Sequence, residues 1–221
     1  VGKTTIAAAL ARQLPGRVSV MDLDCANPVL HIALGVGHRL HNDLPGYHIA
    51  PIPWARGEVA SLAMLTGAGG IIRQSSDHRT ALIVDFIRAL AWQPSDYMVI
   101  DTAPALSQEN EALLRELDPE VVIVAEPGPL AAEGLIRTAL FLKTVGARVL
   151  GVLGNRGLDA TDAAEGLGVE FLGVVPVSAN GQVKVTDITS FRARRLDEPG
   201  WDVKVKRWAV KQGLEAWLSV Q

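Results

Sequence analysis

The chain has 221 residues, 48% of them hydrophobic and 20% charged, and its 21 Lys and Arg against 24 Asp and Glu leave a net charge of −3. That balance excludes a disordered chain and any general electrostatic pull toward nucleic acid, and no apolar run approaches the ~18 residues of a membrane span. The single cysteine, Cys25, excludes an internal disulfide and fits a reducing compartment, the cytoplasm. In chain order, an amphipathic helix is predicted at 4–14, then strands at 17–21 and 47–52. Residues 56–76 carry Gly57, Gly67, Gly69 and Gly70 among apolar residues and read as a loop or a broken helix. Helices at 80–91, 108–117, 131–145 and 160–167 then alternate with strands at 97–100, 121–125, 149–153 and 171–175. Most of these strands are continuously apolar rather than alternating, as strands covered on both faces must be. Strand–helix alternation of this kind predicts an α/β fold built on a doubly wound, mostly parallel sheet with helices on both faces. The chain divides into a main domain over 1–190 and a C-terminal helical extension over 191–221 that packs on it.

Three segments carry chemistry. Gly2-Lys3-Thr4-Thr5 matches the closing half of G-x-x-x-x-G-K-[ST]. There the glycine lets backbone N–H groups approach phosphate oxygens, the lysine bridges the β- and γ-phosphates, and the first threonine offers its hydroxyl to Mg²⁺. The following helix points its positive end at the anion. The same four residues also suit an ordinary exposed helix start. Val18-Ser19-Val20-Met21-Asp22-Leu23-Asp24 is a strand ending in two carboxylates, and Tyr97-Met98-Val99-Ile100-Asp101 is a second strand ending in one. Acids at the carboxyl ends of parallel strands lie where such sheets bind ligands, although each alone is also a common turn residue. Together and in this order, the three segments predict nucleotide hydrolysis.

The sequence here resembles the Mrp/MinD group of deviant-P-loop ATPases, the SIMIBI class. Val1–Thr5 matches the end of that group's Lys-Gly-Gly-Val-Gly-Lys-[Ser/Thr]-Thr loop, so the resemblance places the group's first strand ahead of the chain's first residue. Asp22-Leu23-Asp24…Pro28 resembles its Asp-x-Asp…Pro segment, and Trp92-Gln93-Pro94-Ser95-Asp96-Tyr97-Met98-Val99-Ile100-Asp101 resembles the Trp-x-x-x-Asp-Tyr-Leu-Val-Ile-Asp of the Mrp branch. Gly154-Asn155-Arg156 resembles the strand end that contacts adenine, and Leu167–Pro176 resembles the glycine-rich strand that ends in Ile-Pro.

The resemblance implies a Mg²⁺-dependent ATPase that forms a nucleotide-switched homodimer and serves a client protein, with metallocluster assembly as one such service. Lys3, Asp24 and Asp22 would be catalytic: Lys3 on the β/γ-phosphate, Asp24 positioning the lytic water, Asp22 supporting that segment. Val1, Gly2, Lys3, Thr4, Thr5, Asn155, Arg156 and Pro176 would bind ATP or ADP, and Thr4 and Asp101 would hold Mg²⁺. The chain departs from the Mrp pattern at Asp101-Thr102-Ala103-Pro104-Ala105-Leu106-Ser107-Gln108, which alters its second switch. It also lacks a Cys-x-x-Cys pair, so carriage of an iron–sulfur cluster is not expected: such clusters take about four thiolates, and two copies of this chain offer two. Cys25 reads as a small packed residue. The alternative is a MinD- or ParA-like adaptor that binds membrane, DNA or a partner protein in its ATP state.

Two other features carry less. His31, His38, His41 and His48 fall at spacings of 7, 3 and 7, which give no clear metal-binding pair on one helical turn, and they read as loop residues. In the tail, Trp201, Val205 and Trp208 recur at helical spacing among Lys204, Lys206, Arg207 and Lys211. This is either a last helix packing its tryptophans on the domain, the expected case, or a basic amphipathic helix that holds the protein at a membrane surface.

Overall fold

Alanine and glycine placement decides how this chain packs. The computed structural model describes residues 2–24, 28–36, 52–61, 76–90, 93–103, 106–176, 188–196, 201–212 and 214. They fall into two compact units, Gly2–Glu116 and Leu117–Gln221, each taken by itself below.

The first unit opens with helix α1 (Lys3–Gln13), followed by β1 (Val18–Leu23), a short α2 (Leu30–Ala33), β2 (Ile52–Trp54), β3 (Gly57–Ser61), α3 (Ser76–Ala89), β4 (Tyr97–Thr102) and α4 (Gln108–Leu117). The six consecutive α1 residues Ile6–Ala11 are all buried, four of them alanines. A helix covered all round needs side chains this small. Its sheet runs β2-β3-β1-β4, with β1 parallel to both β3 and β4 and only β2 antiparallel. All six β1 residues are buried, as a central parallel strand requires. Met21 and Leu23 from β1 meet Ile83, Phe86 and Ile87 of α3 and Leu113 of α4 in one apolar cluster.

Strand β3 corrects the sequence reading, which made 56–76 a loop or broken helix. Gly57 starts a strand there because it has no Cβ: one added at that position would lie 2.1 Å from the Val18 carbonyl oxygen. Val59 is fully buried, and Glu58, also buried, accepts the Gln93 N–H at 2.9 Å. Residues 62–75, and 47–51 of the strand expected at 47–52, lie outside the described residues. Helix α3 begins at Ser76, four residues before the predicted start.

The second unit continues with β5 (Glu120–Ala125), α5 (Pro129–Thr144), β6 (Arg148–Gly154), α6 (Thr161–Leu167), β7 (Glu170–Val174), β8 (Arg194–Arg195) and α7 (Trp201–Lys211). Its sheet runs β5-β6-β7 in parallel, and β8 pairs antiparallel with the start of β6. Helix α7 turns Trp201, Val205, Trp208 and Ala209 inward. Trp201 donates its indole N–H to the Leu167 carbonyl at 2.7 Å, and Trp208 lies against Gly166, where a Cβ would stand 2.5 Å from its ring. The tryptophans at 201 and 208 thus pack on this unit; Trp217 lies outside the described residues. No helix among the described residues is long and apolar enough to cross a membrane.

Candidate functional site

The site in the first unit is built from the start of α1 and the carboxyl ends of β1 and β4. Gly2 precedes α1 in the left-handed region, at φ 72°, and no side chain caps the helix. Only glycine holds that conformation without strain, and it leaves the first-turn N–H groups without intrahelical acceptors. Lys3 and Thr4 stand half-buried at the helix start, and Thr5 is exposed.

Register places the acids. On the parallel strands Asp22 is the partner of Asp101 and Leu23 of Thr102, so both carboxylates reach the same sheet edge. Asp22 is 0% exposed and Asp101 3%. Asp22 accepts the Leu30 N–H at 2.9 Å through Oδ2 and the Asp24 N–H at 3.1 Å through Oδ1. Burial pushes its pKa from 3.8 up to about 7; those two backbone donors oppose the rise, and the neighbouring charges of Asp101 and Asp24 add to it. Burial also raises the pKa of Asp101, against a hydrogen bond from Thr4 and the charge of Lys3. The Oδ2 of Asp101 is buried without a hydrogen-bond partner among the described residues.

Two like charges and an orphaned carboxylate oxygen in a protein interior are costly, an arrangement typical of ligand-binding sites. The structure brings together Gly2, Lys3, Thr4, Asp22, Asp24 and Asp101. Val1 and Cys25 lie outside the described residues. Among the described residues no three His, Cys, Asp or Glu side chains form a metal cage. A hard cation that keeps most of its water and phosphate oxygens needs no such cage, and the Thr4 hydroxyl beside the Asp101 carboxylate suits Mg²⁺.

Asn155, Arg156 and Pro176 belong to the second unit and lie close to one another there. The Asn155 N–H donates to Ala125 at 2.8 Å, the Val175 N–H to Gly154 at 2.7 Å, and the Gly157 N–H to Val175 at 2.9 Å. Asn155 is 8% exposed at the end of β6, whereas Pro176 is exposed. Two contributors were not foreseen from sequence. One is Leu30, whose main-chain N–H holds Asp22 and leaves no trace in residue type. The other is Glu126, an acid directly after β5, whose position at a strand end was a usable signal.

A half-buried lysine and threonine at an uncapped helix start, facing paired acids at the ends of parallel strands, are the arrangement from which P-loop NTPases build a phosphate site. The family model of the NUBPL iron-transfer P-loop NTPases, within the ParA group, matches residues 1–165, and the chain belongs to that family. It is 29% identical over 210 residues to the human cytosolic Fe-S cluster assembly factor NUBP2, covering 80% of this chain and 75% of that protein. It is also 29% identical over 170 residues to the NUBP2 homolog of Culex quinquefasciatus, where the match covers 70% of this chain and 64% of the mosquito protein, under two thirds of its length. Among solved structures, the fold is similar to the septum site-determining protein MinD of Pyrococcus horikoshii complexed with Mg-ADP. That match has a TM-score of 0.60 at 21% identity over 80% of this chain and 76% of the other. A nucleotide-binding protein from Archaeoglobus fulgidus in complex with ADP matches with a TM-score of 0.58 at 19% identity, over 81% and 78%. The α/β fold expected from the sequence is that of these proteins.

Proposed function

We propose that the chain is an ATP-binding, Mg²⁺-dependent ATPase that works as a nucleotide-switched homodimer in the cytoplasm and serves iron–sulfur cluster assembly. The observation that carries the hydrolytic part is the buried Asp22–Asp101 pair beside Lys3 and Thr4, with one Asp101 oxygen unpartnered among the described residues. Lys3 would neutralise the β- and γ-phosphates, and the first-turn N–H groups of α1, which have no intrahelical acceptors, would donate to phosphate oxygens. Thr5, exposed one residue on, would complete the cradle with Val1. Thr4 and Asp101 would hold Mg²⁺, which when bound offsets phosphate charge. Asp24, partly exposed and tied to Asp22, would orient the attacking water, and Asp22 would keep that segment in place. In the second unit, Asn155, Arg156 and Pro176 are assigned to the base.

Within these residues one cysteine per chain gives two in a dimer, fewer than the about four thiolates a cluster takes, which supports assembly over cluster carriage by this part of the protein. The named role of the NUBP2 relatives supports the process.

In the full-length protein, Lys3→Ala is expected to reduce phosphate release below detection and to weaken ATP binding roughly 100-fold. Turnover at the parent rate would overturn the assignment.

A second reading, an adaptor that engages a surface in its ATP state, is favoured by the outer face of α7. There Val203 and Val210 are exposed between Lys206 on one side and Arg207 and Lys211 on the other. Sedimentation with anionic liposomes or with DNA, with and without ATP, tests it; nucleotide-independent or absent binding removes it.

A further inference from the structure

Strand β1 is buried along its whole length and is apolar except at Ser19 and Asp22. A strand covered on both faces has no in–out alternation, so its side-chain pattern does little to fix its register against a neighbour. A slip of one residue, about 3.3 Å in a parallel pair, would move Asp22 from Asp101 to Ile100 or Thr102. What singles out the observed register lies just ahead of the ladder. The Arg17 carbonyl accepts the Asp96 N–H at 2.9 Å and the Tyr97 N–H at 3.2 Å, and the Arg17 N–H donates to Asp96 Oδ2 at 2.8 Å. Donor and acceptor of one residue are thus both held by the other. Gly16 makes room for that carboxylate: it stands at φ 72°, and a Cβ there would lie 2.2 Å from Asp96 Oδ2.

We propose that Asp96 is a positioning residue for the Mg²⁺ site, pinning the start of β4 to the turn that follows α1 so that Asp101 meets Thr4 and Asp22 in register. The proposal rests on the reading of Thr4 and Asp101 as the Mg²⁺ residues. The 11 residues of α1 and the run from Asp96 to Asp101 each span about 17 Å, so helix and strand are matched in length. Thr4 hydrogen-bonds to Asp101 at one end of that span, and Gly16 and Arg17 meet Asp96 at the other. With both ends held, the Thr4 hydroxyl and the Asp101 carboxylate keep a fixed separation. Mg²⁺ demands such precision, because it takes near-ideal octahedral geometry at about 2.1 Å and tolerates little drift in its oxygen donors. Release of the far end lets β4 drift along β1 and spreads those donors. The phosphate cradle at the α1 start does not depend on β4.

The test measures binding of a fluorescent, non-hydrolysable ATP analogue to the full-length protein, first in EDTA and then as Mg²⁺ is titrated in, with the melting temperature of each variant. Binding by the parent is expected to tighten as Mg²⁺ is added. Asp96→Ala is expected to raise the Mg²⁺ concentration at half effect roughly ten-fold, with affinity in EDTA within about two-fold of the parent. A merely structural role lowers the melting temperature and leaves that midpoint in place. Asp96→Asn, whose Oδ1 still accepts the Arg17 N–H, should keep the parental midpoint. Asp96→Glu, with its acceptor one methylene farther out, should fall between. If Asp96→Ala keeps the parental midpoint, Asp96 does not position the site, and the reading of Thr4 and Asp101 stands. If binding by the parent ignores Mg²⁺, that reading itself falls and this proposal falls with it. Should Asp96→Ala fail to fold, a parental midpoint in Asp96→Glu overturns the proposal.

Discussion

Asp22 is a fully buried carboxylate, and burial is the largest influence on its titration. A carboxylate with no exposed surface, raised to about 7 by burial, takes up a proton in the folded chain at a pH where the unfolded chain, near 3.8, has lost it. The sign follows: between about pH 4 and pH 7 the folded state binds more protons, so stability falls as pH rises, and the penalty is complete above about 7. Its size has an upper bound of roughly 4 kcal/mol, at about 1.4 kcal/mol for each tenfold change in proton affinity. Without nucleotide, Asp22→Asn is therefore expected to gain melting temperature relative to the parent when both are moved from about pH 5 to about pH 8. A difference between the two proteins that stays constant across that range would show that the charge is not what burial penalises. The two acids were legible in the sequence because each ends an apolar strand. Their pairing was not, because register depends on where β1 and β4 start, which is fixed just ahead of both strands: the Asp96 N–H donates to the Arg17 carbonyl and the Arg17 N–H to the Asp96 carboxylate.

Among elements, α1 and the strands β1, β4, β5, β6 and β7 were readable, since continuous apolar runs and small-residue helices leave a strong pattern. Strand β3 was hidden: its sequence Gly-Glu-Val-Ala-Ser has neither a long apolar run nor β-branched residues beyond Val59. What makes it a strand is tertiary, the close passage of Gly57 over Val18 and the burial of Val59 and Glu58. Gly57→Ala places a methyl group against a main-chain carbonyl that cannot swing aside, and is expected to cost roughly 1–3 kcal/mol in urea unfolding. No loss would mean that β3 leaves β1 more easily than the packing implies. Gly166 is the counterpart in the second unit, a glycine within α6 that lets the Trp208 ring approach the helix backbone. Glycine inside a helix pattern looks like a weakness until the facing element is known.

At the scale of the molecule, a homodimer held by nucleotide predicts a mass that doubles with ATP and falls back with ADP. Light scattering on the chromatographed full-length protein, with Asp24→Asn to slow hydrolysis, measures it. Monomer in both states would leave the ATPase and remove the switch. Function was legible as far as the family and its link to metallocluster assembly, through the motifs that carry the resemblance, and not as far as the client. Lys3, Thr4 and the strand-end acids are a few residue types whose work is the same wherever they occur, whereas a client's surface is written in shape.

The Asp22 carboxylate also has a mechanical side. One oxygen holds the amide of Asp24 and the other the amide of Leu30, so a single side chain buckles both ends of the stretch that contains Cys25. The amides of Asp24 and Leu30 are thereby tied to one carboxylate, and whatever draws charge from it loosens both ties together.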